Sequence, residues 1–146
     1  MSKPIVKVRD KELIAAVKKA SADGIARATV FCHTQAKLLV NIPNTGRRVK
    51  IKRPVPGGNT TSRTVYDSPS QPGEPPRKRT GWGQRNIVFQ VDRKKASGRY
   101  GVTKNGLYMF YLELGTRHVA PRPWMLQALL RNKQAVIALL KTGRVK

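Results

Sequence analysis

The sequence predicts an α+β fold: an antiparallel sheet of three to four strands packed against a long N-terminal helix and a shorter C-terminal helix, with a long central loop. Three observations carry that expectation. Residues 10 to 40 repeat apolar side chains at helical spacing, residues 86 to 115 hold short apolar runs split by turn residues, and residues 54 to 85 are crowded with proline and glycine. At 146 residues the chain is the size of one domain with a single core, so 1–146 is read as one unit.

From Asp10 to about Val40 the pattern is one helix. Leu13, Ile14, Val17, Ile25, Ala28, Phe31, Cys32 and Leu39 share a stripe about 120° wide, and Asp10 is placed to cap it. At ~1.5 Å per residue that rod would be about 45 Å long. Gly24 interrupts the stripe and marks a bend or a close crossing with the sheet. Asn44-Thr45-Gly46 is a turn, and Arg47 to Arg53 alternates basic and apolar residues as an exposed strand does. Pro54, Pro56, Gly57 and Gly58 then open an extended basic Pro/Gly-rich loop over 54–85.

Alternation resumes at Asn86–Asp92 and again at Arg99–Thr103. Leu107–Leu114 is short, apolar but for Glu113, and holds three aromatics, which reads as a strand covered on both faces. Lys104-Asn105-Gly106 before it is a hairpin signal, so 86–92, 99–103 and 107–115 form a meander that 47–53 can join. Pro121 and Pro123 suit the first turn of a last helix, Trp124 to Lys141, with Gly143 as its C-cap.

Charge is lopsided: 30 Lys+Arg face 7 Asp+Glu, a net of +23. Such a field draws nucleic acid or acidic protein surfaces and holds copies of the chain apart until something neutralises it. The polyanion candidates are Arg47, Arg48, Lys50, Lys52, Arg53, Arg77, Lys78, Arg79 and Arg85. One cysteine allows no internal disulfide and fits a reducing compartment. No apolar run reaches the ~20 residues that span a bilayer, and Met1-Ser2-Lys3-Pro4 opens no signal-peptide core, so a membrane role is not expected.

Catalysis has little to work with. Cys32 and His33 are neighbours that point about 100° apart on a helix, and His118 stands between Arg117 and Val119 in a corner. No paired ligand or carboxylate spacing is present, so no enzyme, metal or cofactor is expected. Two residues stand out instead. Glu113 either reaches solvent at a strand end or pairs with Arg117, Arg122 or an arginine of a neighbouring subunit. Trp124 lies off the apolar stripe of its helix, so it reads as an interface anchor or as a side chain folded back under the loop. Trp82, in Thr80-Gly81-Trp82-Gly83, reads as a loop plug or a partner contact.

The order Tyr108, Tyr111-Leu112-Glu113-Leu114-Gly115-Thr116, then Ala120-Pro121-Arg122-Pro123-Trp124 and Ala128-Leu129, resembles the C-terminal signature of the tail-completion family. These are the small neck, or head-to-tail joining, proteins of long-tailed bacteriophages. Gly73-Glu74-Pro75-Pro76, then Thr80-Gly81 and an amphipathic strand, is similar to the family's central segment. The likeness covers roughly the C-terminal half, and the Arg/Lys-rich stretch between 47 and 64 departs from it.

The resemblance implies a structural virion protein: a subunit of a homo-oligomeric ring, six-fold as a rule on the tail side, at the phage neck or the top of the tail. Its partners would be neighbouring connector and tail-tube proteins, and DNA passing through the channel without sequence specificity. The interface residues expected, from the residues and the resemblance together, are Trp82, Glu113, Gly115, Thr116, Arg122, Pro123 and Trp124. Its place would be the virion, after assembly in the host cytoplasm. The alternative that charge alone favours is a non-catalytic nucleic-acid-binding protein of ribosomal or architectural type.

Overall fold

A computed structural model describes residues 9–43, 48–58, 60–66 and 70–142. The mixed α+β class holds, but the parts are arranged differently from the expectation. The N-terminal rod is two helices, α1 (Lys11–Lys19) and α2 (Ala22–Leu39), parted at Ala20-Ser21. The cause is local. Lys18 and Lys19 favour a helix C-terminus, and the Ser21 hydroxyl accepts from the Gly24 amide at 3.1 Å with Asp23 in the new first turn. Asp10 caps α1 as expected, its carboxylate accepting from the Leu13 amide at 3.1 Å.

The strand over 47–53 forms as β1 (Arg48–Pro54), and it pairs antiparallel with β2 (Thr60–Tyr66). The region read as a loop therefore contains a strand, and also one helical turn, α3 (Trp82–Arg85). The expected turn at 44–46 lies outside the described residues. β3 (Ile87–Asp92) and β4 (Ser97–Val102) make a second antiparallel hairpin, close to the predicted strands. The two hairpins are not joined into one sheet of three to four strands.

The largest correction concerns 107–115. Leu107–Leu114 is a helix, α4, entered through a 3-10 turn at Lys104–Gly106 where a hairpin was expected. The stretch has aromatics but no β-branched residue, and its Leu, Met and Glu positions favour helix. Its burial has helical period: Met109, Phe110 and Glu113 point inward, while Leu107, Tyr111 and Leu114 point out. The C-terminal element also divides, into α5 (Met125–Arg131) and α6 (Lys133–Thr142). At the break, Asn132 turns its side-chain amide onto the Ala128 carbonyl at 2.9 Å. Pro121 and Pro123 precede α5 rather than forming its first turn. The expected cap Gly143 lies outside the described residues.

Two apolar clusters result. Leu13 and Ala16 of α1, Ile25, Ala28 and Cys32 of α2, and Val136, Ile137 and Leu140 of α6 form the first. Ala36 and Val40, Ile87, Met109, Trp124 and Ala128 form the second, and Tyr100 packs against both. Gly24 does mark a close crossing, but with α6: a Cβ there would stand 2.9 Å from the Leu140 carbonyl oxygen.

One ion cluster ties α1 to α6. The Lys133 ammonium lies 2.9 Å from Asp10 and 2.8 Å from Glu12. The Lys133 hydrogen bond holds the Asp10 carboxyl below its ordinary 3.8, and bonds to Glu12 and Asp10 lift Lys133 above its ordinary 10.5. The lowered carboxyl stabilises the fold above 3.8 and stops doing so as pH falls through its folded value. The raised ammonium stabilises below 10.5 and stops as pH rises through its own. Lys133→Met should therefore lower the melting temperature most on the plateau between those limits. The gap to wild type, followed by circular dichroism, should narrow at both ends and in high salt.

Candidate functional site

The segment from Ser70 to Gly81 is held as a strap between the end of α2 and the approach to α5. The Lys78 amide donates to the Ile42 carbonyl at 2.9 Å, and its ammonium to the Asn41 side chain at 2.9 Å. At the other side the Gly73 amide donates to the Pro121 carbonyl at 2.9 Å, and the Gln127 side-chain Nε2 to the Gly73 carbonyl at 2.7 Å. Pro75 and Pro76, within the strap, are buried. The prolines keep helix and central strand out of the strap.

Strap, α3 and α4 together enclose a cleft of about 270 Å³. Its cations are Arg77, Lys78, Arg79 and Arg122, and its apolar wall is Trp82, Tyr108, Met109 and Leu112. Glu74 meets Arg77 at 3.5 Å beside it. Two polar groups of its lining have no hydrogen-bond partner although they are out of reach of solvent: the Ser70 hydroxyl and the Arg122 Nε. Ser70 as a whole is 3% exposed. Three of the basic residues singled out by sequence, Arg77, Lys78 and Arg79, thus meet at one place.

The others are spread out. Arg85 sits over the Trp82 ring, 5.9 Å from its centre. Lys50 and Lys52 are exposed on β1, on one face of the strand, along the hairpin that also carries Arg48 and Arg53. Arg47 lies outside the described residues.

The family-like residues build a joint. The Glu113 carboxylate is buried and makes no ion pair with Arg117 or Arg122. It accepts instead from the amides of Trp124, Met125 and Leu126 at 2.5, 2.8 and 2.9 Å. No local side chain caps α5, so an acid from the preceding helix does so. Trp124 is fully buried, its indole N–H donating to the Met109 carbonyl at 2.9 Å. The reading of Trp124 as an exposed anchor is therefore corrected: it is the keystone between α4 and α5, with no surface left for a partner.

Gly115 adopts φ +75° at the end of α4 and packs against Pro121, a conformation and a proximity that suit only glycine. Thr116 closes the loop, its hydroxyl accepting from the Val119 amide at 3.1 Å. Pro123 is half-buried beside Trp124, and the Arg122 amide donates to the Leu112 carbonyl at 2.6 Å. Trp82 remains half-exposed, its indole N–H on the Asn105 carbonyl at 3.2 Å.

Sequence reasoning missed the outer face of α4. Leu107, Tyr111 and Leu114 recur at i, i+4 and i+7 and, with Tyr108, are 40% to 53% exposed. Cys32 is packed in the core, and burial pushes its thiol up to about 11, far from nucleophilic use. His33 Nε2 lies 3.2 Å from the Ile87 carbonyl oxygen, and its ring lies 4.8 Å from that of Phe89. Among the described residues no helix is long and apolar enough to cross a membrane.

No family model, curated protein or solved structure matches this chain. The likeness to the tail-completion signature rests on the residues quoted for it.

Proposed function

We propose that this chain is a structural subunit of a homo-oligomeric ring at the neck or tail top of a long-tailed phage, where it completes the tail or joins it to the head and lines the DNA channel. The observation that carries this reading is the uncovered stripe of Leu107, Tyr111 and Leu114 on α4. Three large apolar side chains in a row on one exposed helix face offer a subunit contact that shields them from water, once salt screens the net charge of +23. The inner side of the same helix carries Glu113, so the signature residues fix the direction in which that stripe points. The exposed Lys50 and Lys52 supply the cations that passing DNA would meet without base readout.

Sizing by light scattering in roughly 0.5 M salt, where the Debye length is about 4 Å, tests this. Wild type should form a closed oligomer, six-fold if the family likeness holds, visible as rings by electron microscopy. Tyr111→Glu with Leu114→Glu should remain folded and monomeric. A wild-type chain that stays monomeric at every salt, yet binds duplex DNA at nanomolar affinity with steep salt dependence, would replace this reading by an architectural nucleic-acid binder.

A further inference from the structure

We infer that the cleft beneath the strap is a docking site for the carboxylate of an acidic, partly apolar segment of a second, different protein. Ser70 and Arg122 both line the cleft, and the Ser70 hydroxyl and the Arg122 Nε stand behind its surface, shut off from water and unpartnered. A buried donor without an acceptor costs free energy, so an anionic oxygen that enters among the four cations of the cleft gains from either donor turned toward it. Arg77 and Glu74 already display that chemistry beside it.

Size and wall select the kind of anion. The volume, about 270 Å³, falls at or below the lower end of small-molecule sites, ~300–1,000 Å³, and suits a side chain or two. Trp82, Tyr108, Met109 and Leu112 line the same cleft, so a group that fills it must bring apolar surface with it. An acidic side chain flanked by an aliphatic one does so. A duplex phosphate, hydrated and held on a convex backbone, reaches exposed cations such as Lys50 and Lys52 more readily than a buried hydroxyl.

A second copy of the chain is a poor donor. Of its seven acids, Asp10 and Glu12 are held by Lys133, Glu74 by Arg77, and Asp23 lies 3.9 Å from Arg93. The Asp92 carboxylate accepts from the Lys95 amide, and Glu113 is buried in its cap. Asp67 lies outside the described residues. The cleft would take such a segment whether or not the chain is a ring subunit.

A blocked five-residue peptide of alternating glutamate and leucine, titrated calorimetrically into the full chain at 0.15 M salt, is the probe. Trp82 fluorescence gives an independent readout. Binding should weaken roughly tenfold or more in Ser70→Ala with Arg122→Gln, and also in Arg79→Glu, an exposed substitution that leaves the core alone. Lys50→Gln with Lys52→Gln should leave it within about twofold, and the glutamine version of the peptide should not bind. The proposal is overturned if the peptide does not bind, if the Lys50/Lys52 variant weakens it as much as the cleft variants do, or if inorganic phosphate or a 20-base-pair duplex displaces it at equal charge.

Discussion

Glu113→Gln is expected to destabilise the chain by roughly 2–3 kcal/mol, and Glu113→Ala by about 4–5 kcal/mol, because hydrogen bonds to a charged group contribute ~1.5–3 kcal/mol each and do not add fully. One buried carboxylate serves three backbone donors, on Trp124, Met125 and Leu126. Glutamine keeps a single acceptor oxygen and turns an amide group toward at least one of those donors. Alanine leaves all three unpaired at the positive end of α5. Urea denaturation measures the loss, and the glutamine variant should melt about 5–10 °C lower, at ~2–4 °C per kcal/mol for a chain of this size. Hydrogen exchange adds a local readout: the amides of 124–126 should lose protection before those of α2. Unchanged urea midpoint and unchanged protection at these amides would show that α5 is started by something else.

The α+β class, β1, β3 and β4 were legible because their alternation is local and their ends carry turn residues. The break at Ala20-Ser21 was also written in the sequence, as two lysines, a serine and then an aspartate. It was outweighed by an apolar stripe that continues in phase across the gap, although Ile14 and Val17 in fact end up exposed. α4 was lost for a different reason. Aromatic density argues for strand and the absence of β-branching for helix, and only tertiary packing decides between them. With α4 misread, Glu113 had no helix end to cap, so an ion pair with the abundant arginines was the natural expectation. The cleft was half legible: Arg77, Lys78 and Arg79 announced it, but Ser70 and Arg122 are remote in sequence from one another and meet only through the folded strap.

These corrections alter what the signature residues do. Gly115, Pro121, Glu113 and Trp124 spend their chemistry inside one subunit, turning α4 back toward α5. Contact with other molecules is left to residues that the joint positions: the outer stripe of α4, and the cleft wall that Tyr108 and Leu112 contribute from the same helix. α4 is thus shared by core, cleft and exposed stripe. A change at its inner face must be separated from a change of binding by measuring the monomer first.

Trp124→Ala makes that separation concrete. Removing a fully buried tryptophan opens a large cavity between Met109, Ile87 and Ala128, and such truncations cost about 3–5 kcal/mol. The buried hydrogen bond from the indole N–H to the Met109 carbonyl is lost as well. On a marginal total stability of ~5–15 kcal/mol the chain should lose its cooperative melting transition, or melt at least 10 °C lower. Trp124→Phe keeps most of the volume but not the N–H, so it should cost only ~1–3 kcal/mol, for one buried hydrogen bond and part of a ring. An interface anchor would behave in the opposite way, with the alanine variant as stable as wild type and deficient only in assembly. Far-ultraviolet circular dichroism of the purified monomer, with Trp82 as the remaining fluorophore, distinguishes the two. A native melting curve for Trp124→Ala would mean that the indole does not lock α4 to α5.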